Sequence, residues 1–100
     1  MTVLVTGGAS GIGKATVMQL VREGARVICA DIDRTKGKAL VEEGKASGSV
    51  IDYEPIDLTD ADSVRRCAAA ALARHPKVDV LINAAGFGIP SLRRYTAGLS

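Results

Sequence analysis

Short apolar runs alternate along this chain with longer stretches in which apolar positions return every three or four residues. Val3-Leu4-Val5 is the first run and Val27-Ile28-Cys29-Ala30 the second. Both are continuous in apolar character, as strands covered on two faces must be, so residues 2–6 and 26–31 read as central parallel strands. Between them the amphipathic stretch from Ile12 to Val21 reads as a helix ending at Gly24, a residue suited to a left-handed cap. A second, weaker helix runs from about Arg34 to Ala46, with Gly37 and Gly44 inside or ending it. It keeps Leu40 and Val41 for the core and exposes Lys36, Lys38, Glu42, Glu43 and Lys45.

Ile51 and Tyr53 then alternate with Asp52 and Glu54 ahead of Pro55, the pattern of an edge strand with one wet face. The third helix has the clearest period. Thr59 and Asp62 are spaced for a capping box, and Val64, Cys67, Ala68, Ala71 and Leu72 fall on one face, which reads as helix–sheet packing. A fourth apolar run, Val78 to Ile82, completes the alternation. Strand and helix in turn predict an α/β fold, and right-handed crossovers give a parallel sheet of strand order 3-2-1-4. The first two helices cover one face and the third crosses the other. Strand 4 keeps an open apolar edge, so self-association is expected. After Gly88 the segment Pro90 to Leu99 has no helical period, either because a variable loop is cut short or because the reading frame ends or changes there. The chain therefore divides into a half-domain over 1–88 and an irregular tail over 89–100.

The chemistry concentrates at the ends of the strands. Thr6-Gly7-Gly8-Ala9-Ser10-Gly11-Ile12-Gly13 joins the first strand to the first helix, as in a dinucleotide-binding βαβ unit. A pyrophosphate is held by backbone N–H groups and the positive end of a helix, so the chain must approach it without intervening Cβ atoms. Gly7 can supply the turn, Gly11 the close approach and Gly13 the contact of helix with strand. Asp31 ends the second strand, 18 residues after Gly13. A carboxylate there can accept hydrogen bonds from both adenosine ribose hydroxyls, each worth about 1.5–3 kcal/mol. It also repels a 2′-phosphate, which favours NAD over NADP. The alternative is that Asp31 caps the next helix, as Asp33 could equally do.

Asp57-Leu58 follows the third strand and Asn83-Ala84-Ala85-Gly86 the fourth, both at carboxyl ends that deliver residues to a ligand crevice. Thr-Gly-x-x-x-Gly-x-Gly, the acid after strand two, Asp-Leu after three and Asn-Ala-Ala-Gly after four together resemble the short-chain dehydrogenase/reductase family. The resemblance covers residues 2 to about 88 and implies an incomplete, Rossmann-type doubly wound sheet. It implies that Thr6 to Gly13, with Ser10 among them, form the pyrophosphate turn and that Ile12 lies near the nicotinamide half. Asp31 would hold the ribose, Ile32 would lie beside the adenine, Asp57 would meet its amino group and Leu58 would pack on the ring. Asn83, Ala84, Ala85 and Gly86 would run alongside the cofactor, with Asn83 tying the fourth strand to the glycine turn. A loop Asn bonding its own backbone is the alternative for Asn83. Relatives preferring NADP carry a basic residue where Ser10 or Ile32 stands here, and Arg34 is the nearby candidate.

The family oxidises or reduces an alcohol/ketone pair with a Tyr-x-x-x-Lys helix and a preceding Ser. Four residues beyond Tyr53 and Tyr95 stand Asp57 and Leu99, so neither tyrosine fits and no catalytic residue is assigned. The expected activity is NAD-dependent hydride transfer between the nicotinamide and a small secondary alcohol or ketone once a catalytic half is supplied. The chain alone is expected to be inactive, and a non-catalytic dinucleotide-binding module or sensor is the alternative. Net charge is +2 with 24% charged residues, and the arginine pairs Arg65-Arg66 and Arg93-Arg94 lack interleaved aromatics, so no nucleic-acid partner is expected. No run reaches transmembrane length, and Met1-Thr2 leads straight into a strand without a signal peptide, so the expected location is the cytoplasm. Cys29 and Cys67 read as small core residues, no cluster has metal spacing, and His75 reads as a cation at a helix end.

Overall fold

The computed structural model describes residues 1–84. Ala85, Gly86 and the tail over 89–100 lie outside the described residues. The order is β1 (Thr2–Thr6), α1 (Gly11–Arg22), β2 (Arg26–Asp31), α2 (Arg34–Ala46), β3 (Ile51–Pro55), α3 (Ala61–Arg74) and β4 (Val80–Asn83). The four strands form one sheet in the order β3-β2-β1-β4, and all pairings are parallel. The fold is α/β and Rossmann-like, as the alternation of apolar runs predicts. Val3 stands opposite Val27 and Val80, and Val5 opposite Cys29 and Ile82, so apolar side chains line up across adjacent strands.

Alternation along the strands divides the core. Val3, Val5, Val27, Cys29 and Ile51 face Val17 of α1 and Leu40 of α2, while Ala30 and Ile56 pack with Cys67 of α3 on the opposite side. Each fully buried Val, Leu or Ile contributes about 1.5–3 kcal/mol relative to exposure. Gly24 caps the end of α1 with φ 89°, as expected. Cys29 and Cys67 are buried, free thiols.

Gly37 is a packing device. A Cβ on Gly37 would overlap the Tyr53 ring, and that ring is anchored because Tyr53 Oη donates to the Asp31 carbonyl at 2.8 Å. Helix propensity alone would make Gly37→Ala stabilising by about 1 kcal/mol. The overlap should reverse the sign, and a net loss of about 1–3 kcal/mol is expected in urea unfolding. A Lys38→Ala control, on the exposed face, should change stability little. A stabilised Gly37→Ala variant would show that the ring moves aside freely.

Five sequence expectations are corrected. The polar side of β3 is not wet: Glu54 is buried and α3 lies against this strand. Arg74 Nη1 stands 3.6 Å from Asp52 Oδ1 and 3.5 Å from Glu54 Oε1, an oxygen that accepts no hydrogen bond. His75 is more than a cation at a helix end, for its Nε2 meets Asp52 Oδ2 at 2.6 Å. The cap of α3 is Asp60, whose side chain accepts the Asp62 N–H at 3.0 Å, because Thr59 instead bonds Asp57. Of the apolar stripe on α3, Cys67 and Ala71 are buried but Val64, Ala68 and Leu72 are exposed. The helix sits over β3, so the side of the stripe turned from that strand meets little described chain. Finally, β4 begins at Val80 rather than Val78. Asp79 Oδ2 instead accepts the Thr2 N–H at 2.8 Å, which holds its carboxyl below the ordinary range.

Candidate functional site

The first two strands of the sheet meet the glycine turn at their carboxyl ends. Gly7 leaves β1 with φ 70° and donates its N–H to the Ala30 carbonyl at 2.7 Å. Gly11 opens α1 with φ 56°, and no other protein atom lies within 4 Å of where its Cβ would stand. At Gly13 the situation is opposite: a Cβ would overlap the Gly7 carbonyl. Thus the helix crosses directly over its own turn, which only glycine permits. Gly8 is also close-packed, with a Cβ position 3.1 Å from Cys29 Sγ. Burial pushes the Cys29 thiol up to about 12, so it is an inert packing group behind the turn.

The helix N-termini differ in their internal partners. Asp33 caps α2 by accepting the Lys36 N–H, and Asp60 caps α3. Ser10 at the N-cap of α1 makes no side-chain cap bond, and the first turn of α1 contains no acid. Its first N–H groups therefore lack the side-chain acceptor that the other two helices supply, and an anion can take that place.

Asp31 stands at the end of β2, 9% exposed. Its Oδ2 accepts the Ala9 N–H at 3.0 Å and its Oδ1 the Asp33 N–H at 2.9 Å. The capping role belongs to Asp33, and Asp31 instead ties the turn to the start of α2. After β3, Asp57 Oδ1 accepts both the Thr59 hydroxyl at 2.7 Å and the Thr59 N–H at 3.0 Å. These two bonds, the hydroxyl first, hold the Asp57 carboxyl below its ordinary range and keep it ionised. Thr6 Oγ1 donates to Asn83 Oδ1 at 2.8 Å, and the Ala84 N–H reaches the Thr6 carbonyl at the same distance. Strand β4 is thereby joined to the start of the turn.

Together these segments surround a cavity of about 500 Å³. It brings together Gly7, Ser10, Gly11 and Ile12 from the turn with Asp31 and Ile32 after β2. Asp57, Leu58 and Ala84 line it from the ends of β3 and β4. Thr6, Gly13 and Asn83 do not line it, since Thr6 and Asn83 bond each other and Gly13 packs against the turn. Ile12 and Ile32 flank it at 82% and 68% exposure, large apolar surfaces left in water. Ile56 and Thr59 also line the cavity and were missed by sequence reasoning. The signal for Thr59 was its place two residues after Asp57, obscured by its reading as a cap. An adjoining cavity of about 280 Å³ brings Lys14 and Lys36 to the other flank of Ser10 and Gly11, and Lys14 is paired with Glu43 at 2.9 Å. Among the described residues no group of three or more His, Cys, Asp or Glu side chains could hold a metal ion.

The family described as short chain dehydrogenase matches residues 1–96. The chain belongs to that family. Its relatives include the 3-oxoacyl-acyl-carrier-protein reductase of Thermotoga maritima, 37% identical over 83 residues, covering 83% of this chain and 34% of the relative. The 3-hydroxyacyl-CoA dehydrogenase type-2 of Drosophila melanogaster is 39% identical over 83 residues, covering 83% and 31%. A short chain dehydrogenase/reductase of Burkholderia phymatum, solved in complex with NAD, superposes with a TM-score of 0.75 at 28% identity, covering 80% of this chain and 28% of that one. The short chain dehydrogenase chain described here thus spans about a third of the length of the curated relatives it matches. No described helix is long and apolar enough to cross a membrane.

Proposed function

We propose that residues 1–88 are the NAD-binding half-domain of a short chain dehydrogenase, followed by a separate segment over 89–100. The observation that carries this reading is the convergence on one cavity of the glycine turn, Asp31, Asp57 and Ala84. The uncapped start of α1 and the close crossing at Gly13 suit a pyrophosphate, which needs free N–H groups and a bare backbone. In this reading the turn from Thr6 to Gly13 holds the pyrophosphate and Ile12 lies by the nicotinamide half. Asp31 accepts from the adenosine ribose and Ile32 lies beside the adenine. Asp57 meets the adenine amino group, Leu58 packs on the ring, and Asn83 through Gly86 follow the cofactor. The Burkholderia phymatum relative was solved with NAD, which supports the same ligand class here.

A bound nicotinamide would supply a hydride acceptor as NAD or a hydride donor as NADH, so the whole enzyme would oxidise a secondary alcohol or reduce a ketone. In this reading Tyr53 is not the proton donor for that step. Tyr53 donates its hydroxyl to the Asp31 carbonyl, and burial pushes its phenol up. A catalytic phenol needs the opposite shift. The chain is read as working in the cytoplasm and self-associating through the β4 edge.

Titration calorimetry on residues 1–100 tests the reading. Asp31 near a 2′-phosphate is a like-charge pair costing about 4 kcal/mol at 4 Å near a surface. Solvent and the neighbouring lysines reduce this, so NAD should bind about a hundredfold tighter than NADP. A panel of secondary alcohols should give no turnover. Absence of binding by either cofactor would refute the dinucleotide reading, and equal affinities would remove the NAD preference alone.

A further inference from the structure

We infer that Asp31 is a positioning residue for the pyrophosphate turn, so that one carboxylate couples the two halves of the dinucleotide site. The inference rests on the cofactor reading above but adds a role that ribose recognition does not require. The observation is the pair of bonds at its two oxygens: Oδ2 accepts from Ala9 N–H, in the middle of the turn, and Oδ1 from Asp33 N–H, at the cap of α2. Its own backbone carbonyl accepts the Tyr53 hydroxyl at 2.8 Å and the Ile56 N–H at 3.3 Å. Thus the residue is clamped by β3 through its backbone and grips the turn through its side chain.

Ala9 is buried, so its N–H has no ready water to replace the carboxylate. A carboxylate offers about four lone-pair sites, and these two bonds occupy one on each oxygen. The remaining sites can accept ribose hydroxyls without releasing the turn. Asparagine cannot do the same. Its amide presents one acceptor and one donor, so its NH₂ must face either the Ala9 or the Asp33 N–H, donor against donor. Alanine releases both. The turn should lose its phosphate-binding shape progressively through Asp31→Asn and Asp31→Ala.

Inorganic pyrophosphate separates this from plain electrostatics, because the two predict opposite signs. Removing a negative charge beside an anion site should tighten pyrophosphate binding. Loss of the turn's support should weaken it. We expect pyrophosphate affinity, measured by calorimetry on the full 100-residue chain, to fall about tenfold in Asp31→Ala and less in Asp31→Asn, with adenosine weakened as well. Unchanged or tighter pyrophosphate binding, with adenosine alone weakened, would overturn the inference and leave Asp31 a ribose ligand only. Hydrogen exchange on the ligand-free chain gives a readout independent of binding and of the variants' folding. In the wild type the Ala9 amide should be protected like the β1 core, and in any folded variant its exchange should accelerate while that of Val3–Val5 does not. An Ala9 amide that exchanges like an exposed loop in the wild type would also overturn the inference. Failure of the wild type to bind either probe, with Ala9 protected, would instead refute the cofactor reading and leave Asp31 as a structural tie of the turn without a role in pyrophosphate binding.

Discussion

Gly13→Ala is expected to abolish dinucleotide binding and to destabilise the chain by more than about 3 kcal/mol. The added Cβ would occupy the position of the Gly7 carbonyl and lie 3.0 Å from Gly8 Cα. Both obstacles are backbone, so no rotamer change relieves them. Either α1 lifts away from the turn, exposing Val17, which is 0% exposed, or the turn unwinds and breaks the bond from Gly7 N–H to Ala30. Each route forfeits core burial or a buried hydrogen bond, worth about 1–3 kcal/mol apiece. Domains of this size are stable by about 5–15 kcal/mol in total, so the loss is a large fraction. Gly11→Ala is the contrasting variant. Its Cβ meets no protein atom within 4 Å, and its penalty is the positive φ of 56°, about 1–2 kcal/mol. Urea unfolding and NAD calorimetry on both variants decide the matter. A Gly13→Ala chain with an unchanged midpoint would mean that α1 does not cross the turn as closely as described.

Alkaline destabilisation centred on Cys29 is the second large effect expected. The thiol is fully buried, and burial, with the nearby Asp31 charge, raises its pKa from 9.0 to about 12. A raised pKa means that the folded state holds the proton more tightly than the unfolded state. The contribution is therefore fully present below pH 9 and is lost as pH rises from 9 towards 12, by about 4 kcal/mol in all. The Tyr53 phenol, raised chiefly by burial, acts in the same direction above pH 10. Asp57 and Asp79 act oppositely: their lowered values stabilise at neutral pH, a contribution lost as pH falls from 3.8 through their folded values. Urea midpoints for wild type and Cys29→Ala between pH 7 and 11 isolate the thiol. The wild type should fall steeply above pH 9, and Cys29→Ala should be much flatter there. Parallel curves would assign the alkaline loss to other groups.

The elements of this fold were legible because their signals are local. Continuous apolar runs at Val3–Val5 and Val27–Ala30 marked the central strands, and the 3.6-residue period marked α1 and α3. The weaker helix α2 falls at Arg34–Ala46, the span expected from its pattern. Right-handed crossover, a property of any L-chain, ordered the strands as 3-2-1-4. The glycine turn was legible for the same reason, since Gly7, Gly11 and Gly13 answer to steric demands set within eight residues. Which surfaces those elements cover was not legible. Alternation told correctly that Asp52 and Glu54 share a face of β3, yet only the path of α3 brought Arg74 and His75 onto it. Gly37 looked like a weak point of a helix until Tyr53 was seen to occupy the space beside it. Thr59 and Asp62 had capping-box spacing, but Asp57 and Asp60 took the local hydrogen bonds. At the site, residue types announced an acid beside a phosphate turn, while the bond from Ala9 N–H to Asp31 joins residues 22 apart in the chain. Period and steric allowance are properties of a few neighbouring residues, so the sequence by itself determined strands, helices and turn. Burial and hydrogen-bond partnership depend on which distant segments arrive at the same place, and the packed tertiary structure decided those.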